Sequence, residues 1–436
     1  MKKLFALLLA LCMVFALCAC GSTNDESAAE EAAEEPASET ETEEAPAEEA
    51  EAAGTAIDPA DLMVGLVCVE DENSGYDYAH ISGVQKACEA LGIPEENIMI
   101  RVNMPESEEC YDACVELAEA GCDIVITDSY GHQSYCEQAA SEFPDVTFVS
   151  MTGDYAQFSG LDNYKNAFCY TYQSRYVSGV VAGMKLAEMI ENGELSDANY
   201  NEDGNVKIGY VGAYPYAEVV SGYTAFYLGV KSVVENVEMY VRFTNSWYDP
   251  IAEGSAAAAL IADGCCIISQ HADSTGAPSE IEAEADNGAV VYGVGYNISM
   301  LSVAPNTSLT SASNDWSVYY TYAFSQMLNG EEVATDWAAG YADGANFITD
   351  LGDACAEGTA EKVAEVEAAL ADGSLQVFDT STFTVNGETI DSYVVSDFNG
   401  NELGEAIVDG AFQESVLRAA PYFDLQIDGI TQLIDG

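Results

Sequence analysis

From Met63 onward, short apolar runs alternate with longer amphipathic segments. The runs M-V-G-L-V-C-V (63–69), I-M-I-R-V (98–102), D-I-V-I-T (123–127) and V-T-F-V-S-M (146–151) are strand-like in length and content. Between them, 76–91, 107–120 and 132–142 carry helical periodicity. After a seam near 160–172 the series repeats. A long helix is expected over 172–191. V-K-I-G-Y-V-G (206–212), M-Y-V-R-F (239–243), C-C-I-I-S-Q (265–270) and V-V-Y-G-V-G (290–295) then alternate with helices at 216–234, 250–263 and 278–287. Strands alternating with helices imply βαβ units and parallel sheets. Two such series predict two doubly wound α/β lobes in tandem. Past about residue 375 the rhythm changes to Q-V-F-D-T-S-T-F-T-V-N-G-E-T-I, read as β-structure around an Asn-Gly turn.

The first 20 residues have another character. Two lysines precede about 17 mostly apolar residues, and the run ends in Leu17-Cys18-Ala19-Cys20. That is the pattern of a secretory signal, and its end resembles a bacterial lipobox in which Cys20 would be acylated. An ordinary cleaved signal or a short anchor helix is the alternative. Residues 21–57 follow, rich in Glu and Ala, without bases or aromatics over 22–55. Such a segment cannot bury enough apolar surface to offset chain entropy, so it reads as an acidic tether. The expected location is the outer face of the cell membrane, held by lipid.

Charge narrows the partners. The net charge is −63, and only ten Lys and Arg lie beyond the signal, scattered along the chain. Nucleic acid is not an expected partner, and an anionic ligand would meet a repulsive field. Ten cysteines lie beyond the lipobox, most of them inside apolar runs such as A-G-C-D-I-V-I. They read as core thiols rather than as a disulfide framework or a metal site.

In doubly wound sheets, ligands bind beyond the carboxyl ends of the strands. The loops there are E-D-E-N-S-G-Y-D-Y-A-H, D-S-Y-G-H, A-Y-P-Y-A-E, T-N-S-W-Y-D-P, Q-H-A-D-S-T-G-A-P and Y-N-I-S-M. They are rich in aromatics, amides and carboxylates. None is a phosphate loop or a nucleophile elbow, and the three histidines form no recognisable triad. No enzyme activity and no cofactor are expected.

The segments S-G-Y-D-Y-A-H-I-S-G-V-Q-K-A, T-D-S-Y-G-H, Y-Q-S-R-Y-V-S-G-V-V-A-G, I-G-Y-V-G-A-Y-P-Y-A-E, T-N-S-W-Y-D-P and Q-H-A-D-S-T-G-A-P, in this order, resemble the basic membrane protein family of ABC-transporter substrate-binding lipoproteins. The resemblance covers most of 63–330. It implies a type I periplasmic-binding-protein fold: two doubly wound parallel-sheet lobes joined by a hinge, with the ligand in the cleft between them. It implies a purine nucleoside or nucleobase as ligand, sandwiched between two aromatic side chains, which by position are Tyr76 and Trp247. Trp247 could instead be a loop anchor packed on its own lobe.

Asp77, Asp128, Ser129, Glu218, Asp273 and Asn297 are the expected polar partners of that ligand. His271 either orients Asp273 or is a satisfied strand-end histidine. Tyr78 and His80 are as readily structural as ligating, and Asp249 reads as the N-cap of the next helix, with Pro250 following. Many family members carry an acidic residue where this chain has Asn297, which leaves a free base open.

Lobe one is expected over 58–172 with about 297–315, and lobe two over 173–296 with about 316–436. The crossings are expected near 171–174, 296–300 and 312–316. The resemblance implies a monomer that delivers its ligand to an ABC permease. A sensor docking to a receptor, or a tethered nucleoside-processing enzyme, are the alternatives.

Overall fold

A computed structural model describes residues 55–433. The signal, Cys20 and nearly all of the acidic tether lie outside the described residues. The apolar runs become strands because parallel sheets covered by helices on both faces need side chains that are apolar on both faces.

In the first sheet, β1 (Val64–Val67), β2 (Ile98–Arg101), β3 (Ile124–Thr127), β4 (Thr147–Met151) and β5 (Tyr164–Cys169) are linked by α1 (Gly75–Leu91), α2 (Glu108–Glu119), α3 (Gln133–Glu142) and the short α4 (Ala156–Ser159). α5 (Thr171–Asn192) leads into the second lobe. There β6 (Val206–Gly212), β7 (Val237–Phe243), β8 (Ile267–Gln270), β9 (Tyr292–Tyr296) and β10 (Ser308–Asn314) alternate with α6 (Ala217–Lys231), α7 (Pro250–Ala262) and α8 (Gly276–Asp286). α9 (Ser317–Asn329) and β11 (Asp336–Ala339) return to the first lobe; β12 (Asn346–Ile348) and α10 (Thr359–Ala371) end in the second.

The sheet orders are β11-β5-β4-β3-β1-β2 and β12-β10-β9-β8-β6-β7, the latter extended by a strand at Ile430–Gln432. Every pairing within these two sheets is parallel except β10 with β12. The second lobe's helices are drawn close where α5 meets α6. A Cβ on Gly179 would lie 2.2 Å from the Phe226 carbonyl oxygen, and one on Gly229 would lie 2.2 Å from that of Tyr176. Only glycine permits that backbone approach.

Two expectations about the lobes are corrected. Residues 297–315 stay with the second lobe, because β10 pairs with β9, and residues 316–339 belong to the first, where α9 packs on α1 and β11 pairs with β5. No crossing therefore occurs at 296–300. The chain passes between the sheets at β5 to α5, at β10 to α9, and between β11 and β12 near 340–345.

The C-terminal segment is β-rich, forming two small two-stranded antiparallel sheets and adding a last strand to the second lobe's sheet. Asn386 and Gly387, both at positive φ, make the expected turn between bridged Val385 and Glu388. Two short ladders follow, Val394–Ser396 with Glu402–Glu405 and Ile407–Val408 with Ala411–Phe412. Phe378, Phe383, Phe412 and Phe423 pack with the second lobe's core. Of the ten described cysteines, all are free thiols and nine are buried, as core residues in apolar runs should be.

Candidate functional site

A cleft enclosing about 350 Å³ of empty space, its open mouth included, lies between the lobes, at the carboxyl ends of both sheets. It is lined by Val69, Tyr76, Ser129, Tyr130 and Thr152 from the first lobe and by Glu218, Trp247, His271, Asp273 and Tyr296 from the second. The lobes meet around it. The Gly75 amide donates to the Asp273 carbonyl at 3.2 Å, and the Tyr130 and Tyr216 rings lie 6.0 Å apart.

Tyr76 sits in the first turn of α1, which Ser74 caps through its hydroxyl. Its phenol donates to the Asp128 carbonyl at 2.7 Å, and its ring rests on the edges of His80 and Trp316. His80 is itself fully buried, stacked on Trp316 at 4.3 Å and bonded to the Tyr320 hydroxyl, so it is structural. Tyr78 faces outward, about half exposed. So backed, Tyr76 is part of the cavity wall.

Trp247 sits on a loop that is tied to itself. Thr244 Oγ1 donates to the Ser246 carbonyl, Ser246 Oγ donates to that of Tyr248, and the Trp247 carbonyl accepts from the Asp273 amide at 2.8 Å. Asp249 caps α7, accepting from the Ile251 and Ala252 amides ahead of Pro250. Buried Glu253 accepts from the Asp249 and Ser274 amides, stitching this loop to the one after β8. The Trp247 ring is half-buried and packs edge-on against Tyr214. It is thus both packed on its own lobe and presented to the cleft.

The polar groups form linked pairs. His271 Nε2 lies 3.2 Å from Glu218 Oε1, while Nδ1 faces the Tyr210 hydroxyl at 3.4 Å. The phenol can supply the second hydrogen, so the imidazole is neutral with its proton on Nε2, donated to Glu218. Burial, with the nearby Arg175 charge, pushes His271 down to about 4. Asn297, at positive φ, donates Nδ2 to Asp273 Oδ1 at 2.8 Å. Burial, together with the carboxylates around it, holds Asp273 well above the ordinary carboxyl range. Arg175 is fully buried behind Tyr296, its guanidinium 3.5 Å from that ring's centroid, with Nη1 on the Gln270 carbonyl. It does not line the cavity.

Of the residues singled out from the sequence, Tyr76, Ser129, Glu218, Trp247, His271 and Asp273 line the cavity. Asp77, Asp128 and Asn297 do not; each stands one layer behind. Asp77 accepts from the Glu70 amide and Asp128 from the Val69 amide, clamping the loop after β1. Burial raises both carboxyls, Asp128 strongly, and each keeps one oxygen without a hydrogen-bond partner; the buried Cys68 thiol beside them is pushed up as well.

These three residues are also the one group among those described that brings three metal-ligating atoms within 4.8 Å of one another. Tyr130, Thr152, Tyr296 and Val69 line the cavity without having been singled out. Thr152 holds φ at +62°, strained backbone for a β-branched residue, with its Oγ1 unpartnered.

Residues 69–370 match the family described as ABC transporter substrate-binding protein PnrA-like. The chain belongs to that family. A purine-binding protein of Brucella abortus (strain 2308) is 33% identical over 278 residues, 64% of this chain and 72% of that one. Among solved structures, an ABC transporter solute-binding protein of Aeropyrum pernix K1 superposes with a TM-score of 0.59 at 14% identity, over 75% of this chain and 94% of that one. Another, from Conexibacter woesei DSM 14684, gives 0.56 at 19% identity, over 72% and 98%. These structures share the two-lobed periplasmic-binding-protein fold. The PnrA-like chain is a substrate-binding protein of an ABC importer, not an enzyme, and its work is extracytoplasmic.

Proposed function

We propose that this PnrA-like protein captures a purine base or nucleoside between Tyr76 and Trp247 and hands it, from a lipid anchor at Cys20, to a membrane permease. The observation that carries the reading is the pairing of two aromatic side chains from opposite lobes in one cavity with two carboxyl groups, Glu218 and Asp273. A flat heterocycle uses the ring faces, at roughly 1–3 kcal/mol per stacked base. Its N–H and amino groups donate to Glu218, and the raised Asp273 carboxyl can donate to a ring nitrogen. Ser129 and Thr152 offer hydroxyls at the rim. Asp77 and Asp128 act through Tyr76, and Asn297 acts through Asp273. The name of the Brucella relative supports the purine assignment.

Closure brings the two faces together. The Gly75–Asp273 hydrogen bond forms only when the lobes meet, so the ligand and that contact favour the same state. A permease that reads the closed form would receive only loaded protein.

Calorimetry tests the reading with adenine, guanine, hypoxanthine, their nucleosides and monophosphates, and D-glucose. Bases or nucleosides are expected to bind, and monophosphates to bind far more weakly, because the cavity presents carboxyls and Arg175 is covered by Tyr296. Glucose could use the carboxyls but not the ring faces. Tight binding of glucose or of a monophosphate, with none by any base or nucleoside, overturns the assignment. Mass spectrometry of the small molecule that co-purifies, and of the N-terminal peptide for acylation at Cys20, checks the remaining parts.

A further inference from the structure

The family match ends at residue 370, and the chain continues beyond it to a strand at Ile430–Gln432 in the second lobe's sheet. That continuation is rooted in the second lobe: Phe378 stacks on Phe423 at 4.3 Å, and Phe412 meets Phe423 at 4.8 Å. Buried Glu414 accepts the Tyr422 and Phe423 amides, which folds 414–423 into a compact corner.

From this root the corner reaches the first lobe. Arg418 Nη1 lies 3.3 Å from Asp154 Oδ2, and both side chains are largely buried, at 13% and 6% exposed. The Ala419 amide donates to Asp336 Oδ2 on β11 at 2.7 Å, and Ala419 is buried in the first lobe's core. The Phe398 ring lies 4.4 Å from that of Tyr155.

The contacted loop is the one that reaches the cleft. Asp154 lies two residues beyond strained Thr152, which lines the cavity. The Asp154 amide donates to Gln133 Oε1 at 2.9 Å, so the loop is held by α3 on one side and by Arg418 on the other. A buried ion pair is costly to break from one side, because the remaining charge loses its partner.

We propose that the C-terminal segment is a brace between the lobes, a fourth link beside the three chain crossings, and that Arg418 is a positioning residue which holds the Thr152 loop in the cleft and limits how far the lobes part. The effect on ligand rests on the reading of the cleft as the ligand site; the restraint on the lobes does not.

The test is hydrogen–deuterium exchange of the ligand-free full chain and of its Arg418→Gln, Asp154→Asn, double and Arg418→Lys variants. Arg418→Gln should speed exchange in peptides covering 151–158 and Gly75, with the strands of both sheets unchanged. Asp154→Asn should do the same, the double variant should add little to either, and Arg418→Lys should restore most of the protection. Changes confined to 414–433, or additive effects of the two single variants, overturn the brace.

Stopped-flow release of the tightest-bound purine should accelerate about tenfold in Arg418→Gln, and unchanged release with altered exchange overturns the positioning role. If no purine binds the wild-type chain, the ligand reading falls while the exchange data still decide the brace.

Discussion

The amide of Gly75, on the first lobe, donates to the carbonyl of Asp273, on the second, at 3.2 Å. A Cβ on Gly75 would lie 3.2 Å from Ile298 Cγ1 and 3.4 Å from Asn297 Cβ. The first of these is tighter than ordinary packing, and it exists only when the lobes are closed. Gly75→Ala should therefore weaken ligand binding about tenfold, or 1.4 kcal/mol. Alanine in the first turn of α1 favours the helix, so the melting temperature should hold or rise. Calorimetry beside a thermal melt separates the two effects; an unchanged Kd would mean that the lobes do not meet this closely when loaded.

Trp247 has a second role besides its ring face, since it packs against Tyr214 and its loop is bonded to the Asp273 backbone. Trp247→Ala should cost roughly 2–3 kcal/mol of purine binding, and Trp247→Phe less. The loop's backbone bonds survive either change, so the melting temperature should fall by only a few degrees. Ligand should quench tryptophan fluorescence in the native protein, and most of that signal should go with Trp247. Trp316, behind Tyr76 at 6.2 Å, is buried and has no face on the cavity. A large loss of stability with unchanged affinity would make Trp247 an anchor and no more.

Thr152 holds positive φ while its hydroxyl, unpartnered within the protein, belongs to a residue of the cavity wall. Strain of this kind persists where surrounding contacts impose it. Thr152→Gly should relieve about 1 kcal/mol of backbone strain and raise the melting temperature slightly, while weakening the ligand severalfold. A variant that loses both stability and affinity would show that the side chain is packing rather than contact.

Several carboxyls raised by burial shape the pH response, three of them between about pH 6 and pH 8. Burial lifts Glu414 to about 8, Glu253 to about 7 and Asp336 to about 6. Each binds its proton more tightly folded than unfolded. Their contribution is therefore full below the ordinary carboxyl pKa and is lost as pH rises through 6, 7 and 8. The melting temperature should fall between about pH 5 and pH 9. Repulsion among the 75 acidic residues pushes the same way, and Glu414→Gln separates the two. Gln can still accept from the Tyr422 and Phe423 amides, and the variant's stability should change less than the wild type's across the upper part of that range. Equal slopes would rule out Glu414.

β5, Y-K-N-A-F-C, fell within the expected seam near 160–172, but the other strands up to β9 were legible as short apolar runs between helical segments. β10 was not. S-L-T-S-A-S-N is entirely buried, yet it is mostly hydroxyls and amides. It is satisfied laterally in part: Thr310 donates to the Thr349 carbonyl, Ser313 to that of Asn297, and Asn314 pairs with Thr171 and Asn346, while the Ser308 and Ser311 hydroxyls have no partner. A polar strand reads as loop, which is why 297–315 went to the wrong lobe.

The cleft followed the same logic. Aromatics and carboxylates on loops stood out, whereas Tyr296, though on such a loop, was not distinguished from the many other tyrosines, and the sign of Thr152's φ leaves no mark in composition. Asp77 and Asp128 drew notice as carboxylates beside the right loops; only their bonds to the Glu70 and Val69 amides reveal that they serve the backbone.

The ten free thiols bear on how such a chain matures. An exported protein commonly depends on oxidative folding machinery and on an oxygenated exterior to keep its bridges closed. Among the described residues nothing here is stapled, so both lobes and the brace are held by packing, hydrogen bonds and ion pairs. The fold owes nothing to the electron balance of its surroundings, and it would serve equally well outside a cell that lives where oxidants are scarce.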